Sequence, residues 1–511
     1  MHEATPHRRS GVLTLAALLT LTACPSTGRD RTFLGFEAAP FGIDSSDGRG
    51  VCVFDADGDD DLDVLVTRAA GPHLWINLGD GQFDERGDLL GMPGPAQWLG
   101  CGSADVDEDG DEDLVLTDHD GPTVLLLNDD GAFVDRTAEA GLGDSQRQGS
   151  VVWTDLDLDG TLDLLLTGVF PGETRLYRGR GDGRFDERTT EAGLLDVERS
   201  WSAGALDVDN DGFPDLFLTT DVAQPANAST DDRLLLGNGD FTFRDVTRDA
   251  QIADATDAMG LAMADVDQDN QLDLFVTNIG PHYLWRNLGG LFLNTTTASG
   301  VDNGGGRVGW GTFFIDVDEN AGLDLFVANG GYYERGEVEP LHDGLLPRNR
   351  LFLQADVVSG WPQFKDLGRE LDLGDGESSM GAAFGDLDGD GRVDLVIANQ
   401  SGAELTVRRS RGHAAGLDPG ALRLRLRGTN SNREALGARV VAETCVRSTL
   451  HTVGTGPSVF SQGERVVHVP LQGCTGESLI HVAWPSGLDE VFVVDDAGRD
   501  VVTLLTEGTG D

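Results

Sequence analysis

Positive charge is what this 511-residue chain has least of: 37 Lys+Arg face 88 Asp+Glu, the formal net charge is −51, and Lys365 is the only lysine. So acidic a chain lacks the basic footprint that general nucleic-acid binding needs. For the same reason it is not drawn to anionic lipid head groups. Aromatics are also scarce, at 7% of residues with 4 tyrosines. Acidity with few aromatics is one signature of disorder. Against it stand 39% hydrophobic residues, spread as short apolar runs, and 70 glycines. Together they describe an ordered, turn-rich protein whose carboxylates have a task. Long hydrophobic stretches are missing too. The apolar run from Val12 to Leu21 is about half of the roughly 20 residues a membrane helix needs, and no other segment comes near that length.

That run has the setting of an export signal. Arg8 and Arg9 precede it as a positive region, and Leu21-Thr22-Ala23-Cys24 follows. The ending resembles a bacterial lipobox. The resemblance implies that residues 1–24 are a lipoprotein signal peptide and that Cys24 becomes the lipidated first residue. An ordinary signal peptide with a chance cysteine is the alternative. The Arg8-Arg9 pair lacks the surrounding pattern of twin-arginine export. Residues 25–32 read as a tether. Pro25 stands where many inner-membrane lipoproteins of Gram-negative bacteria carry Asp, so the resemblance implies the outer membrane. Export permits disulfides. Four cysteines follow Cys24, and Cys445–Cys474 and Cys52–Cys101 are the expected pairs, with four buried thiols as the alternative.

One acidic motif recurs seven times. Its positions 1, 3, 5 and 9 are Asp55, Asp57, Asp59 and Asp63, then Asp105, Asp107, Asp109 and Asp113, then Asp155, Asp157, Asp159 and Asp163. The fourth and fifth copies are Asp207, Asp209, Asp211 and Asp215, and Asp265, Asp267, Asp269 and Asp273. The last two are Asp316, Asp318, Asn320 and Asp324, and Asp386, Asp388, Asp390 and Asp394. Successive copies start 50, 50, 52, 58, 51 and 70 residues apart, the period of a repeat architecture. Oxygens at positions 1, 3 and 5 converge only if the chain curls around a point, and a left-handed residue at position 6, where Gly is best, makes that turn. A carbonyl at position 7 and a carboxylate at position 9 complete an all-oxygen shell that suits Ca²⁺ and its flexible coordination. Mg²⁺ prefers stricter octahedra. Without His or Cys the set does not suit zinc. Some loops could instead turn through Asx hydrogen bonds without metal. Loop six is the weakest, with Asn320 lacking a charge and Ala321 at the turn.

An EF-hand would need Glu at position 12 and flanking helices. Here an apolar run follows at once, such as Val64-Leu65-Val66 or Leu164-Leu165-Leu166, and reads as a strand buried on both faces. The stretch before each loop, such as Val51-Cys52-Val53-Phe54, also reads as strand. A second recurring element, as in Trp75-Ile76-Asn77-Leu78-Gly79-Asp80-Gly81-Gln82-Phe83, is strand, Asn/Asp-Gly hairpin, strand. Each unit therefore holds four short strands, one blade of a β-propeller, and seven motifs imply seven blades. Phe33-Leu34-Gly35-Phe36 is a candidate strand to pair with the short seventh blade and close the ring. The repeats from about 33 to 412 resemble FG-GAP/VCBS repeats of the integrin-like and cartilage-acidic-protein-like kind. In that family such loops bind calcium on one face of the propeller, which implies several Ca²⁺ ions, up to seven, here.

Residues 421–508 break the pattern and are nearly charge-balanced. Leu422-Arg423-Leu424-Arg425-Leu426-Arg427 alternates as a half-exposed strand should. Asn432 with Gly437-Ala438-Arg439-Val440, and Trp484-Pro485-Ser486-Gly487, resemble the ASPIC/UnbV domain, so a small β-sandwich-like module is expected. Arg439 and Trp484 are either core residues or the lining of a site. The long sixth interval carries Tyr332, Tyr333 and His342, a candidate binding loop, or else a loop packed on the propeller. His73 and His282 sit in similar Gly-Pro-His contexts and read as equivalent structural residues. The resulting expectation is an all-β protein, a seven-bladed propeller followed by a small sandwich. Its function is that of a calcium-binding, lipid-anchored envelope module for adhesion to, or interaction with, a protein or glycan partner. A structural subunit of an envelope assembly is the alternative. A polysaccharide-active enzyme is the third reading, although no catalytic constellation is visible. The chain meets the membrane through its lipid alone.

Overall fold

The computed structural model describes residues 35–510 apart from short internal stretches, the longest being 222–230, 340–347 and 413–419. Cys24, the tether, Phe33, Leu34 and His342 lie outside the described residues. Each acidic repeat lies in a four-stranded antiparallel sheet, in chain order in the first six, and there are seven such sheets. Blade 1 runs Val51–Phe54, Asp63–Val66, His73–Asn77, Phe83–Glu85; blade 2 runs Trp98–Ala104, Asp113–Asp118, Val124–Asp129, Ala132–Asp135. Blade 3 is Gln148–Thr154, Asp163–Gly168, Arg175–Gly179, Phe185–Glu187, and blade 4 is Ala203–Leu206, Asp215–Leu218, Arg233–Gly237, Phe243–Asp245. Blade 5 is Ala258–Ala264, Asp273–Asn278, Tyr283–Asn287, Phe292–Asn294. Blade 6 is Val308–Ile315, Asp324–Gly330, Arg350–Val358, Trp361–Asp366. Blade 7 takes Ser379–Gly385, Asp394–Asn399 and Thr406–Ser410 from its own repeat and Phe36–Ala38 from the N-terminal side. That closing strand pairs Phe36 with Ser410 and Ala38 with Arg408, a little later in the chain than the expected Phe33–Phe36. The first strands of consecutive blades pack on one another all the way round, blade 7 against blade 1 included. Helix among the described residues amounts to Thr137–Ala140 and Thr296–Ser299.

The second strands are buried on both faces, which is why their apolar runs do not alternate. The core is accordingly a series of apolar layers between neighbouring blades, such as Cys52, Leu65, Leu74, Leu114 and Leu126 between blades 1 and 2. Polar side chains stitch the layers. Thr117 and Thr277 on the second strands, and Thr219 just after one, each accept a backbone N–H from or beside their own first strand and donate to a carbonyl of the next blade. On the third strands Asn77, Asn128, Asn287 and Gln354 donate to the acidic loop of the preceding blade. Cys52 and Cys101 form a disulfide between the first strands of blades 1 and 2, with Cα atoms 6.0 Å apart.

The C-terminal module has two sheets. One places Ala421–Arg427 between Val467–Pro470 and Val502–Thr506; the other runs Ser448–Thr452, Arg439–Glu443, Glu477–Ala483, Asp489–Asp495. Leu422, Leu424, Leu426, Val440, Ile480, Val482 and Trp484 fill the space between them. Cys445 and Cys474 form the second disulfide. Propeller and module belong to one unit, Thr32–Asp511. The segment Ser458–Glu464 leaves the module and enters the propeller centre. Gln462 and Val51–Val53 exchange backbone hydrogen bonds, the Phe460 carbonyl accepts from Cys101 N–H, and Ser458 Oγ accepts from Thr312 N–H. Val459 and Phe460 are fully buried there among Leu99, Trp201, Met259, Trp310 and Met380. Gly50 and Gly149 make room: a Cβ on Gly50 would lie 2.2 Å from the Phe460 carbonyl oxygen, and one on Gly149 2.9 Å from the Phe460 ring.

Candidate metal centres

Each acidic loop joins the first strand of a blade to the second. Its backbone is left-handed at position 6 in all seven copies: Asp60 (φ 68°), Gly110, Gly160, Gly212, Asn270 (φ 65°), Ala321 (φ 62°) and Gly391. It is also left-handed at position 4, where Gly58, Glu108, Leu158, Asn210, Gln268, Glu319 and Gly389 stand. The carboxylates hold this curl. In loop 5, Asp265 Oδ1 accepts from Asp269 N–H (3.0 Å) and Oδ2 from Asn270 N–H (2.9 Å); Asp386 does the same in loop 7. Position 5 closes a tighter turn by accepting from position 7, as Asp109 does from Asp111 N–H (3.0 Å). Position 9 is a clamp in every blade. Asp63 accepts from Ala56 N–H (2.6 Å) and, on its other oxygen, from Asn77 N–H on the third strand (2.7 Å).

These bonds draw the acids together. One oxygen from each of Asp55, Asp57 and Asp63 lies within 4.8 Å of the others. The same holds for Asp105, Asp107 and Asp113, for Asp155, Asp157 and Asp163, and for Asp207, Asp209 and Asp215. Asp265, Asp267 and Asp269 form a fifth group, and two further groups of this kind occur among the described residues. Three carboxylates this close oppose their own ionisation. Burial, reinforced by neighbouring acids, pushes Asp63 and Asp113 up to about 8 and Asp215 to about 7, and lifts Asp163, Asp273 and Asp394 well above the carboxylate range. At position 1, burial raises Asp105 and Asp386 to about 6 and Asp155 to about 7, and lifts Asp316 well above the carboxylate range.

The residues fit a hard cation. Position-3 acids carry a buried oxygen with no hydrogen-bond partner: Oδ1 of Asp107, Asp157, Asp267 and Asp388, with Oδ1 of Asp105 at position 1 alongside. A buried carboxylate oxygen without a donor is costly. A cation at the convergence point would satisfy it and the crowded charge at once. All the side-chain donors are oxygens, a set that suits a hard cation and does not suit zinc.

The C-terminal module covers this face. Arg433 Nε lies 3.1 Å from Asp105 Oδ2, and Glu434 Oε1 accepts from Asp105 N–H (2.7 Å). Arg423 Nη1 lies 2.6 Å from Asp386 Oδ2. Arg439 donates to the Asn270 carbonyl (2.9 Å), Arg447 to the Ala321 carbonyl (3.3 Å) and Gln472 to the Asn320 carbonyl. The half-exposed reading of the Leu422–Arg427 strand is therefore corrected at Arg423. Its side chain is 8% exposed, held between Asp386 and Glu464. Trp484 is 3% exposed in the module core. The two Gly-Pro-His histidines are not equivalent. His73 opens the third strand of blade 1 and pairs with Glu85 (2.9 Å), whereas His282 precedes its strand, is fully buried and accepts from Asn278 N–H (3.1 Å). Tyr332–Glu334 and Glu337–Glu339 form a hairpin between the second and third strands of blade 6, the end of the blade opposite the acidic loops. Sequence reasoning missed the covering module and the left-handed position 4.

A family model for an FG-GAP-like repeat matches residues 55–116, 105–166, 155–218 and 220–276, and a model for ASPIC and UnbV matches 428–510. Cartilage acidic protein 1 of Mus musculus and of Homo sapiens are each 24% identical over 297 residues, covering 49% of this chain. The match spans 45% and 44% of those relatives, so less than half of their length. Among solved structures, an Agrocybe aegerita lectin recognising non-reducing terminal N-acetylglucosamine is similar at 15% identity and TM-score 0.39, covering 63% of this chain and 80% of that one. BBS1N in complex with ARL6DN is similar at 9% identity and TM-score 0.44, covering 73% and 97%. The acidic repeats and the module seated on them identify the chain as an FG-GAP-like repeat protein with a C-terminal ASPIC and UnbV domain.

Proposed function

We propose that this chain is a calcium-loaded interaction module, held at the bacterial cell envelope by a lipid on Cys24, that binds an envelope or extracellular protein or glycan. The observation that carries the calcium reading is the repeated, unpartnered inner oxygen at position 3, aligned with crowded carboxylates loop after loop. The ion's role on this reading is to hold the loops in the shape the C-terminal module sits on. With the loop face covered, partner recognition falls to the other end of the blades, where the Tyr332–Glu339 hairpin lies. A cross-linked pull-down from the native envelope tests this, comparing the full chain with Tyr332→Ala/Tyr333→Ala in calcium. Saturable capture that the double variant loses supports the reading. Capture of one partner at fixed stoichiometry, indifferent to the variant, favours a structural subunit. No capture in calcium contradicts an interaction role.

A further inference from the structure

Three of the seven loops carry their own cation. The residue just before the third-strand position that clamps the position-9 carboxylate is Ile76, Leu127, Leu236 and Leu353 in blades 1, 2, 4 and 6. In blades 3, 5 and 7 it is Arg178, Arg286 and Arg409. Each guanidinium bridges positions 3 and 5 of its loop. Arg178 Nη2 lies 2.8 Å from Asp157 Oδ2 and 2.6 Å from Asp159 Oδ2. Arg409 reaches Asp388 Oδ2 (2.6 Å) and Asp390 Oδ2 (3.0 Å). Arg286 contacts Asp267 Oδ2 and lies 3.3 Å from Asp269 Oδ2. In all three loops the bond is to the Oδ2 atoms, while Oδ1 of Asp157, Asp267 and Asp388 stays buried and unpartnered. The arginine therefore leaves the metal position open while adding a positive charge beside it.

We propose that Arg178, Arg286 and Arg409 are built-in counter-cations that hold loops 3, 5 and 7 together before calcium arrives and lower the calcium affinity of those loops. The inference rests on the calcium reading of the loops. Its physics is direct. A fixed positive charge on the two carboxylates that would hold a divalent ion weakens its binding by on the order of tenfold even with water-like screening, and ligand charge is one of the levers that tune calcium affinity. The same charge relieves repulsion between positions 3 and 5 when no ion is bound. Loading then proceeds unevenly around the ring.

Hydrogen exchange read peptide by peptide across a calcium titration of the full chain gives a midpoint for each loop. Arg178→Leu is the cleanest variant, because Arg286 also lies over the Trp361 ring (5.5 Å) and Arg392 adds a second contact to Asp390 in loop 7. The expected result is a loop-3 midpoint about tenfold lower in calcium, faster loop-3 exchange in chelator, and no change in loop 2. The reciprocal variant Leu236→Arg should raise the loop-4 midpoint by a similar factor and slow exchange of that loop in chelator. Calcium-responsive loops whose midpoints ignore both substitutions would overturn the inference and leave the calcium reading standing. Loops that do not respond to calcium at all would bring down both.

Discussion

Position 4 of the acidic loop shows what single residues carry. Leu158, Glu108, Gln268, Asn210 and Glu319 all adopt a left-handed backbone there, although only Asn suits it among these types. At Leu158, Glu108, Gln268 and Glu319 nothing in the side chain signals this; the strain is imposed by the carboxylates on either side, whose oxygens collect the N–H groups of positions 5, 6 and 7. The aspartates were legible because the chemistry dictates their spacing, and position 6 because Gly, Asn or Asp, which tolerate a left-handed backbone, mark it in six loops. Ala321 is the exception at position 6. Ala321→Gly is expected to stabilise the protein by about 1 kcal/mol by releasing the left-handed alanine, as a rise in melting temperature with or without calcium. The position-9 acids set the pH response. Burial holds Asp63 and Asp113 near 8 when no ion is bound, so the native state keeps protons that the unfolded chain has released above its ordinary value of 3.8. That stabilisation is complete below about pH 4 and is lost as pH rises through 8. In chelator, the melting temperature should therefore fall between pH 5 and pH 8; saturating calcium, which needs the ionised form, should abolish the fall.

Among the elements, blades were readable and the central segment was not. Strand, acidic loop, strand and hairpin are local patterns within one repeat, so their order follows from periodicity alone. The Ser458–Glu464 segment is assembled from partners far apart in sequence: Ser461 Oγ accepts from Val51 N–H across 410 residues. A sequence pattern within the module cannot reveal such contacts. Glycines at or beside the first strands, Gly50 and Gly149, make room for it, as glycine does where another backbone approaches closely. Gly50→Ala places a Cβ against the Phe460 carbonyl oxygen. It is expected to cost about 1–3 kcal/mol and to speed hydrogen exchange across 458–464 while the outer strands of the blades keep their protection. Uniform loosening of the whole chain, or no change at 458–464, would show that the segment is not seated through Gly50.

At the scale of the whole molecule, the charge of −51 has a distribution and a counterpart. Twenty-seven of the acids are aspartates at loop positions 1, 3, 5 and 9, and the face they crowd is met by Arg423, Arg433, Arg439 and Arg447 of the C-terminal module. On the calcium reading proposed above, ion loading and seating of the module would be linked equilibria, since the module holds carbonyls at loop positions 5 and 6 and carboxylates at position 1. Removing calcium from the full chain should raise exchange in 458–464 and along the Arg423 strand before the blades themselves open. The most direct test of calcium binding by the loops is a count of calcium. The chain is purified, dialysed against calcium-containing buffer, freed of unbound ion and analysed for bound metal, alongside melting curves in chelator and in calcium. Several calcium ions per chain are expected, up to the seven loops, with a melting temperature that drops in chelator and returns with calcium. A folded chain that retains no calcium and melts at one temperature in both conditions would contradict calcium binding by the loops.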